Sequence, residues 1–293
     1  MQDVGYAKPP TPLRSTRETL AREWLPNLQF QAVVLENIMI TFDFQGTKVL
    51  VTGASRGIGE AIVTGFAGGG ARVAVHYHQQ HDVAESVCNS LEGTGHITVK
   101  ADLGNPVAVE EMVTSTLNEF GQIDILVNNA GIYQEHPLNQ TSYEDWQTVW
   151  QQTINVNLLG AANVSYCVAK HMIERRSGRI INITSRGAFR GEPTATAYGA
   201  SKAALNSLSQ SLAQYLAPYN IFVTAVAPGY VETEMSRAVL ESPAGDFIRQ
   251  QSPLNRVAYP EEIAHTVLFL ASPGSEFLTG NIVDVNGASY LRS

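Results

Sequence analysis

Tyr198 and Lys202 stand four residues apart in a stretch of helical character, so both side chains leave the same face of one helix. A phenol with an ordinary pKa near 10 is a poor proton carrier at neutral pH; an ammonium beside it favours the phenolate and draws that pKa down. The pair is a candidate acid/base unit, although Y-x-x-x-K alone is also an ordinary surface pair. Thirteen residues before the tyrosine, Ser185 follows the apolar run Arg179–Thr184. There a hydroxyl can face a ligand at the carboxyl edge of a sheet, or simply form a turn or cap. A third feature is the turn Thr52-Gly53-Ala54-Ser55-Arg56-Gly57-Ile58-Gly59, between a β-branched run and a helical stretch. This is the context of a dinucleotide-binding turn. Gly53 permits a tight bend, Gly57 lets the backbone approach a pyrophosphate, and Gly59 lets helix and strand pack closely. The helix that follows offers its first N–H groups to phosphate oxygens. The spacing G-x-x-x-G-x-G departs from the common G-x-G-x-x-G.

Positioning these groups takes a framework, and the chain has material for one. Of 293 residues, 44% are hydrophobic and 16% charged, enough apolar surface for a sizeable core. Nineteen Lys and Arg against 27 Asp and Glu give a net charge of −8, which argues against nonspecific nucleic-acid or anionic-membrane binding. No apolar run approaches the ~18 residues of a membrane span, and Asp3, Glu18 and Glu23 interrupt any secretory signal. Cys88 and Cys167 cannot build a disulfide framework, which points to a reducing, cytoplasmic setting. Residues 1–44 read as a disordered or loosely packed extension: the prolines of Lys8–Pro12 disfavour helix, Pro26 interrupts a short amphipathic segment, and Met39 is an alternative start. From residue 45 to 293, short strands alternate with helices. The strands are Lys48–Thr52, Arg72–Tyr77, His96–Lys100, Ile123–Val127, Arg179–Thr184, Ile221–Val226 and Asn281–Val285. The helices include Glu85–Leu91, Val107–Phe120, a long one over about Tyr143–Glu174, Ala197–Ala217 and Glu261–Leu270. Near-continuous apolar strands separated by helices predict an α/β domain, a parallel sheet covered on both faces.

The motifs T-G-x-x-x-G-I-G at 52–59, Asp102-Leu103, Asn128-Asn129-Ala130-Gly131, Asn157, Ser185 with Tyr198-Gly-Ala-Ser-Lys202, and Pro228-Gly229-Tyr-Val231-Glu-Thr233 run in one order over roughly 250 residues. In that set and order the chain resembles the short-chain dehydrogenase/reductase superfamily. The resemblance implies a single Rossmann-type, doubly wound domain with a seven-stranded parallel sheet ordered 3-2-1-4-5-6-7. It implies that Tyr198 protonates the substrate oxygen as hydride arrives, that Lys202 tunes the phenol and bonds the nicotinamide ribose, and that Ser185 orients the carbonyl. Asn157, in N-x-x-G context, matches the asparagine that holds a proton-relay water; Asn155 is a competitor. The cofactor contacts implied are Gly53, Ser55, Arg56, Gly57, Ile58, Gly59, Asp102, Leu103, Asn129, Ala130, Gly131, Tyr198, Lys202, Pro228, Gly229, Val231 and Thr233.

Charge argues for the choice of cofactor. The second strand ends in Tyr77-His78-Gln79-Gln80, without the acid that would bond a free ribose diol, while Arg56 can present a guanidinium to a 2′-phosphate. NADP(H) is therefore expected, with His78 near that phosphate and NAD(H) the alternative. His76, His78 and His81 read as polar lining of the adenosine end; no closed metal site is expected from them. Around the substrate, Tyr133–His136 follows the Asn-Ala-Gly motif, and the segment between Thr233 and Arg256 holds Met235, Val239, Leu240, Phe247 and Ile248, a partly apolar lid. Arg186 could bind a substrate carboxylate, against the plainer reading of a solvated loop arginine. The tail motifs Val231–Met235, Pro260–Ala264 and Thr279–Gly287 are similar to those of bacterial 3-oxoacyl-ACP reductases. That likeness implies a 3-oxoacyl thioester substrate and, as a partner, acyl carrier protein. Of the two basic positions those enzymes use for the carrier, Arg176 matches one and Tyr219 stands at the other. The alternatives are a small ketone, sugar, polyol or other secondary alcohol as substrate, and a catalytically silent cofactor sensor. A homotetramer or homodimer is implied by resemblance alone.

Overall fold

Lys48–Val51 (β1), Arg72–Tyr77 (β2) and Ile125–Asn128 (β4) are almost wholly buried, as strands covered on both faces must be. With Ile97–Lys100 (β3), Gly178–Ile183 (β5), Ile221–Pro228 (β6) and Ile282–Val285 (β7) they form one sheet, every pairing parallel, in the order β3-β2-β1-β4-β5-β6-β7. This is the order that the family resemblance implies. The computed structural model describes residues 42–292. The first 41 residues of the expected extension, Met39 among them, lie outside the described residues. Within the described part, Phe44 is buried and meets Phe66 edge to face, at 4.8 Å between centroids.

Helices cover both faces. On one side Gly57–Gly68 (α1) and His81–Ser90 (α2) contribute Ile62, Val63, Phe66 and Val87 to a core shared with Ile263 and Val267 of Pro260–Ala271 (α10). On the other, Pro106–Phe120 (α3), Ala161–Arg175 (α5) and Thr196–Leu216 (α7) bring Val109, Met112, Val164, Met172 and Leu216 together. Local chemistry sets the ends of α3: Asn105 Oδ1 accepts the Val107 N–H at 3.0 Å, Pro106 opens the helix, and Gly121 closes it at φ 75°.

The long helix expected over 143–174 is interrupted. Tyr143–Ile154 (α4) passes through a π-helical turn, Asn155–Gly160, before α5 begins. One extra residue per turn re-aims side chains without ending the helix, and such turns are frequent at functional sites. Hydrophobic spacing carries no mark of it. The expected lid segment contains two short helices, Glu234–Leu240 (α8) and Gly245–Gln250 (α9), after a four-residue helix Gly187–Arg190 (α6) that the sequence reading leaves as loop. In the lid Leu240 and Ile248 are buried, whereas Met235 and Phe247 are exposed. Successive connections diverge from the middle of the sheet, between β1 and β4, the point at whose carboxyl ends doubly wound sheets bind their ligands.

Candidate active site

Thr52, buried at the end of β1, fastens the glycine turn to β4. Its Oγ1 accepts the N–H groups of Asn129 at 3.0 Å and Ala130 at 3.1 Å. Asn129 Nδ2 donates back to the carbonyls of Thr52 (3.0 Å) and Gly53 (2.9 Å). A Cβ on Gly59 would fall 2.2 Å from the Gly53 oxygen, so helix α1 can approach the strand this closely only as glycine. Arg56, the N-cap of α1, contributes no capping side chain, and the first N–H groups of the helix stay open to an anion. Ser55 is half-buried in this turn, and Ile58 packs against the core beneath it.

His76 lies behind the turn rather than along its rim. It is 2% exposed; Nδ1 accepts the Gly53 N–H at 2.9 Å while Nε2 donates to the Ala101 carbonyl at 3.2 Å. Those two bonds require the neutral, Nε2-protonated ring, and burial lowers its pKa to about 4, with a smaller push from His78. His76 is thus a brace for the glycine turn, not part of a polar lining; its sequence signal, a histidine inside an otherwise apolar strand, was available but ambiguous. His78 and His81 are exposed just beyond β2.

Lys202 and Asn157 flank Gly131. A Cβ there would lie 3.3 Å from Lys202 Nζ and 3.4 Å from Asn157 Oδ1. The π-helical turn turns Asn157 inward: it is fully buried, its Oδ1 accepts the Ile132 N–H (2.8 Å), and its Nδ2 reaches the Ile132 carbonyl (3.0 Å) and Ser201 Oγ (3.2 Å). Asn155 instead accepts a bond from Gln151 at 2.8 Å within its own helix. Lys202 Nζ donates to the Ile183 carbonyl at 2.8 Å, and burial pulls its pKa down to about 8. It sits 5.8 Å from the Tyr198 ring centroid. The Tyr198 phenol is pushed up to about 12, opposite to the direction the Tyr/Lys spacing predicts. Burial outweighs the nearby Ser185 hydroxyl, which favours the phenolate, and the buried ammonium is tied to a backbone carbonyl rather than to the phenol.

Of the other predicted cofactor residues, Asp102 is exposed and accepts the Gly104 N–H at 2.9 Å, and Leu103 is buried. Gly229 follows the buried Pro228 and lies against Asn286; a Cβ on it would come 3.1 Å from the Asn286 Cα. Val231 pairs with Ala258 in a short parallel bridge. Thr233 caps α8 and abuts Gly57, and Arg56 Nη1 forms an exposed ion pair with Glu234 at 2.8 Å. The lid's first turn and the glycine turn are therefore linked. A turn with open N–H groups, glycines where a side chain would collide, a guanidinium at its edge and no acid among residues 78–81 directly after β2 suits a phosphorylated dinucleotide.

The end expected to hold substrate is polar. Tyr133 stacks edge to face on Tyr198 at 5.1 Å, and its hydroxyl and Thr194 Oγ1 both donate to Glu135 Oε1, at 3.4 and 3.0 Å. Glu192 lies over Gly187 and is bridged by Arg190 at 3.7 Å. Arg186 is not a solvated loop arginine: it is 3% exposed, drawn inward by a backbone bond to Pro228 and by stacking on Tyr230. Arg176 donates to the Pro218 carbonyl at 2.7 Å and lies over Tyr219, so its guanidinium is already engaged.

Residues 53–288 match the model of the family described as Enoyl-(Acyl carrier protein) reductase. The 3-oxoacyl-[acyl-carrier-protein] reductase of Synechocystis sp. is 39% identical over 245 residues, 83% of this chain and 96% of that protein. A short chain dehydrogenase from Burkholderia cenocepacia, solved in complex with NADP, is 33% identical with a TM-score of 0.76, covering 84% of this chain and 98% of that one. A gluconate 5-dehydrogenase from the same organism, in complex with NADP and tartrate, is also 33% identical, with a TM-score of 0.78 over 85% and 97% of the two chains.

Proposed function

The chain belongs to the short-chain dehydrogenase/reductase family, and from that premise we propose that it catalyses NADP(H)-dependent interconversion of a carbonyl and a secondary alcohol, in the direction of reduction. The observation that carries this reading is the convergence of Ser185, Tyr198, Lys202 and Asn157 beside a turn that can hold a dinucleotide. The bound cofactor supplies the hydride. Tyr198, held protonated by burial, gives its Oη proton to the oxygen that becomes the alcohol. Ser185 orients that oxygen, and its Oγ is itself steadied by the Gly187 N–H at 3.0 Å. Lys202, anchored on Ile183, holds the nicotinamide ribose, and Asn157 fixes the Gly131–Ile132 loop beside it. Arg56 takes the 2′-phosphate.

The substrate is read as a 3-oxoacyl thioester on the strength of the curated relatives, with acyl carrier protein as the donor partner. A second reading, a small hydrophilic ketone or polyol, is favoured by the polar wall of Tyr133, Glu135, Glu192 and Thr194. The intact Ser/Tyr/Lys set weighs against a silent sensor. Exposed Leu159, Tyr166 and Phe269 support a homo-oligomer, tetramer or dimer. The two cysteines, both free, support a reducing, cytoplasmic location. Among the described residues no helix is long and apolar enough to cross a membrane. The test is NADPH oxidation with a 3-oxoacyl thioester beside small ketones and sugars, NADH run in parallel. Thioester turnover at low concentration supports the first substrate, turnover of small carbonyls alone the second, and NADPH binding without any turnover refutes the enzymatic reading.

A further inference from the structure

A guanidinium taken out of water normally meets a carboxylate. Arg186, the residue after Ser185, is 3% exposed, and among the described residues no carboxylate lies within ion-pair distance of it. Its side chain makes one hydrogen bond there, Nη1 to Ser289 Oγ at 2.5 Å, and rests over the Tyr230 ring at 5.3 Å. Glu192 acts on it only from farther away and is bridged by Arg190. Burial and the like charge of Arg190 both work against the charged guanidinium, a penalty that an anion would relieve.

Arg186 lines a cavity of about 70 Å³, large enough for a small charged group with its hydration. The other charged residues of the wall, Arg256 and Glu262, neutralise each other through two bonds of 2.7 Å. One positive charge therefore remains uncompensated by the cavity's own residues, with Ser252, Asn286 and Ser289 as neutral polar partners. The cavity lies beside the reacting groups, because Arg186 in its wall directly follows Ser185 in the chain and is fixed by its backbone N–H to the Pro228 carbonyl at 2.8 Å.

We infer that Arg186 anchors a carboxylate carried by the substrate, so that the enzyme acts on small oxo acids and the corresponding hydroxy acids. The inference rests on the hydride-transfer reading above and selects among its substrates. The carboxylate is unchanged in the reaction, which still adds one hydride to the carbonyl carbon and the Tyr198 proton to its oxygen. A planar, bidentate acceptor suits the guanidinium fork.

A matched pair tests it: NADPH-dependent reduction of acetoacetate against acetoacetamide, with wild type and Arg186→Gln, and calorimetric titration of malonate into each NADP-loaded protein. Wild type should prefer the acid by about 30-fold or more in kcat/KM, the range expected for a buried charge pair. Arg186→Gln should bring the ratio close to one, lose malonate binding and keep NADPH affinity. An unchanged acid/amide ratio in the variant, or malonate binding that is absent from wild type or equal in both proteins, overturns the inference. Should Arg186→Gln fail to bind NADPH, Arg186→Lys takes its place: an acid preference reduced at least about threefold supports the anchor, and an unaltered preference overturns it. If no ketone is turned over at all, the hydride-transfer reading fails separately, and the malonate titration alone decides the role of Arg186.

Discussion

His76 offers the most quantitative test of how the cofactor turn is held. Its ring must stay neutral to accept the Gly53 N–H while donating to Ala101. Protonation would place a second donor opposite that N–H. Its pKa falls from 6.5 to about 4 on folding, so the unfolded chain binds more protons between these two values. Stability is then fully present above pH 6.5 and is lost as the pH drops toward 4. A difference of about 2.5 units at ~1.4 kcal/mol each corresponds to about 3 kcal/mol, or a Tm lower by about 6–12 °C for a domain of this size. His76→Asn supplies a donor and an acceptor that do not titrate. Thermal unfolding of both proteins between pH 7.5 and 4, with NADPH affinity measured alongside, isolates the contribution, since the carboxylates are common to both. Wild type should lose about 3 kcal/mol more than the variant over that interval. Parallel pH profiles, agreeing within 1 kcal/mol, would refute the assignment of His76 as a neutral brace.

Further outcomes follow from the same geometry. Arg56→Ala should raise the KM for NADPH by about 10- to 100-fold, the worth of a charge-assisted phosphate contact, and leave NADH unaffected; steady-state kinetics with both cofactors checks this. Glu234→Gln, which removes only an exposed ion-pair partner, should change neither by more than about threefold. The rate of reduction should be level below pH 8 and fall above it, because Lys202, at about 8, then loses its charge while Tyr198, at about 12, keeps its proton. A stopped-flow pH profile of the hydride step reads this directly.

The parallel α/β sheet was legible because apolar runs alternate with helical spacers, and the strand order because the motif order resembles a known family. Tyr198, Lys202, Ser185 and the glycine turn could be placed because their spacing maps onto a helix face, a strand end and a tight bend. What escaped depends on contacts across the sheet. The π-helical turn that aims Asn157 inward leaves no trace in hydrophobic periodicity. The direction of the Tyr198 shift depends on its burial, with the Lys202 ammonium tied to the Ile183 carbonyl, and not on the separation of the two residues along the chain. Arg186 reads as a loop residue until Pro228, Tyr230 and Ser289, distant in sequence, close around it. His76 declares its role only once Gly53 and Ala101 are brought to its two ring nitrogens.

The central claim is that Tyr198 delivers the proton that accompanies hydride transfer. Its most direct test is single-turnover NADPH oxidation by Tyr198→Phe, with a substrate that the wild type reduces. The variant should bind NADPH with unchanged affinity and reduce the substrate at least about 10²–10⁴-fold more slowly, the contribution of a positioned general acid. Near-normal reduction by a folded, NADPH-bound Tyr198→Phe protein would contradict the account.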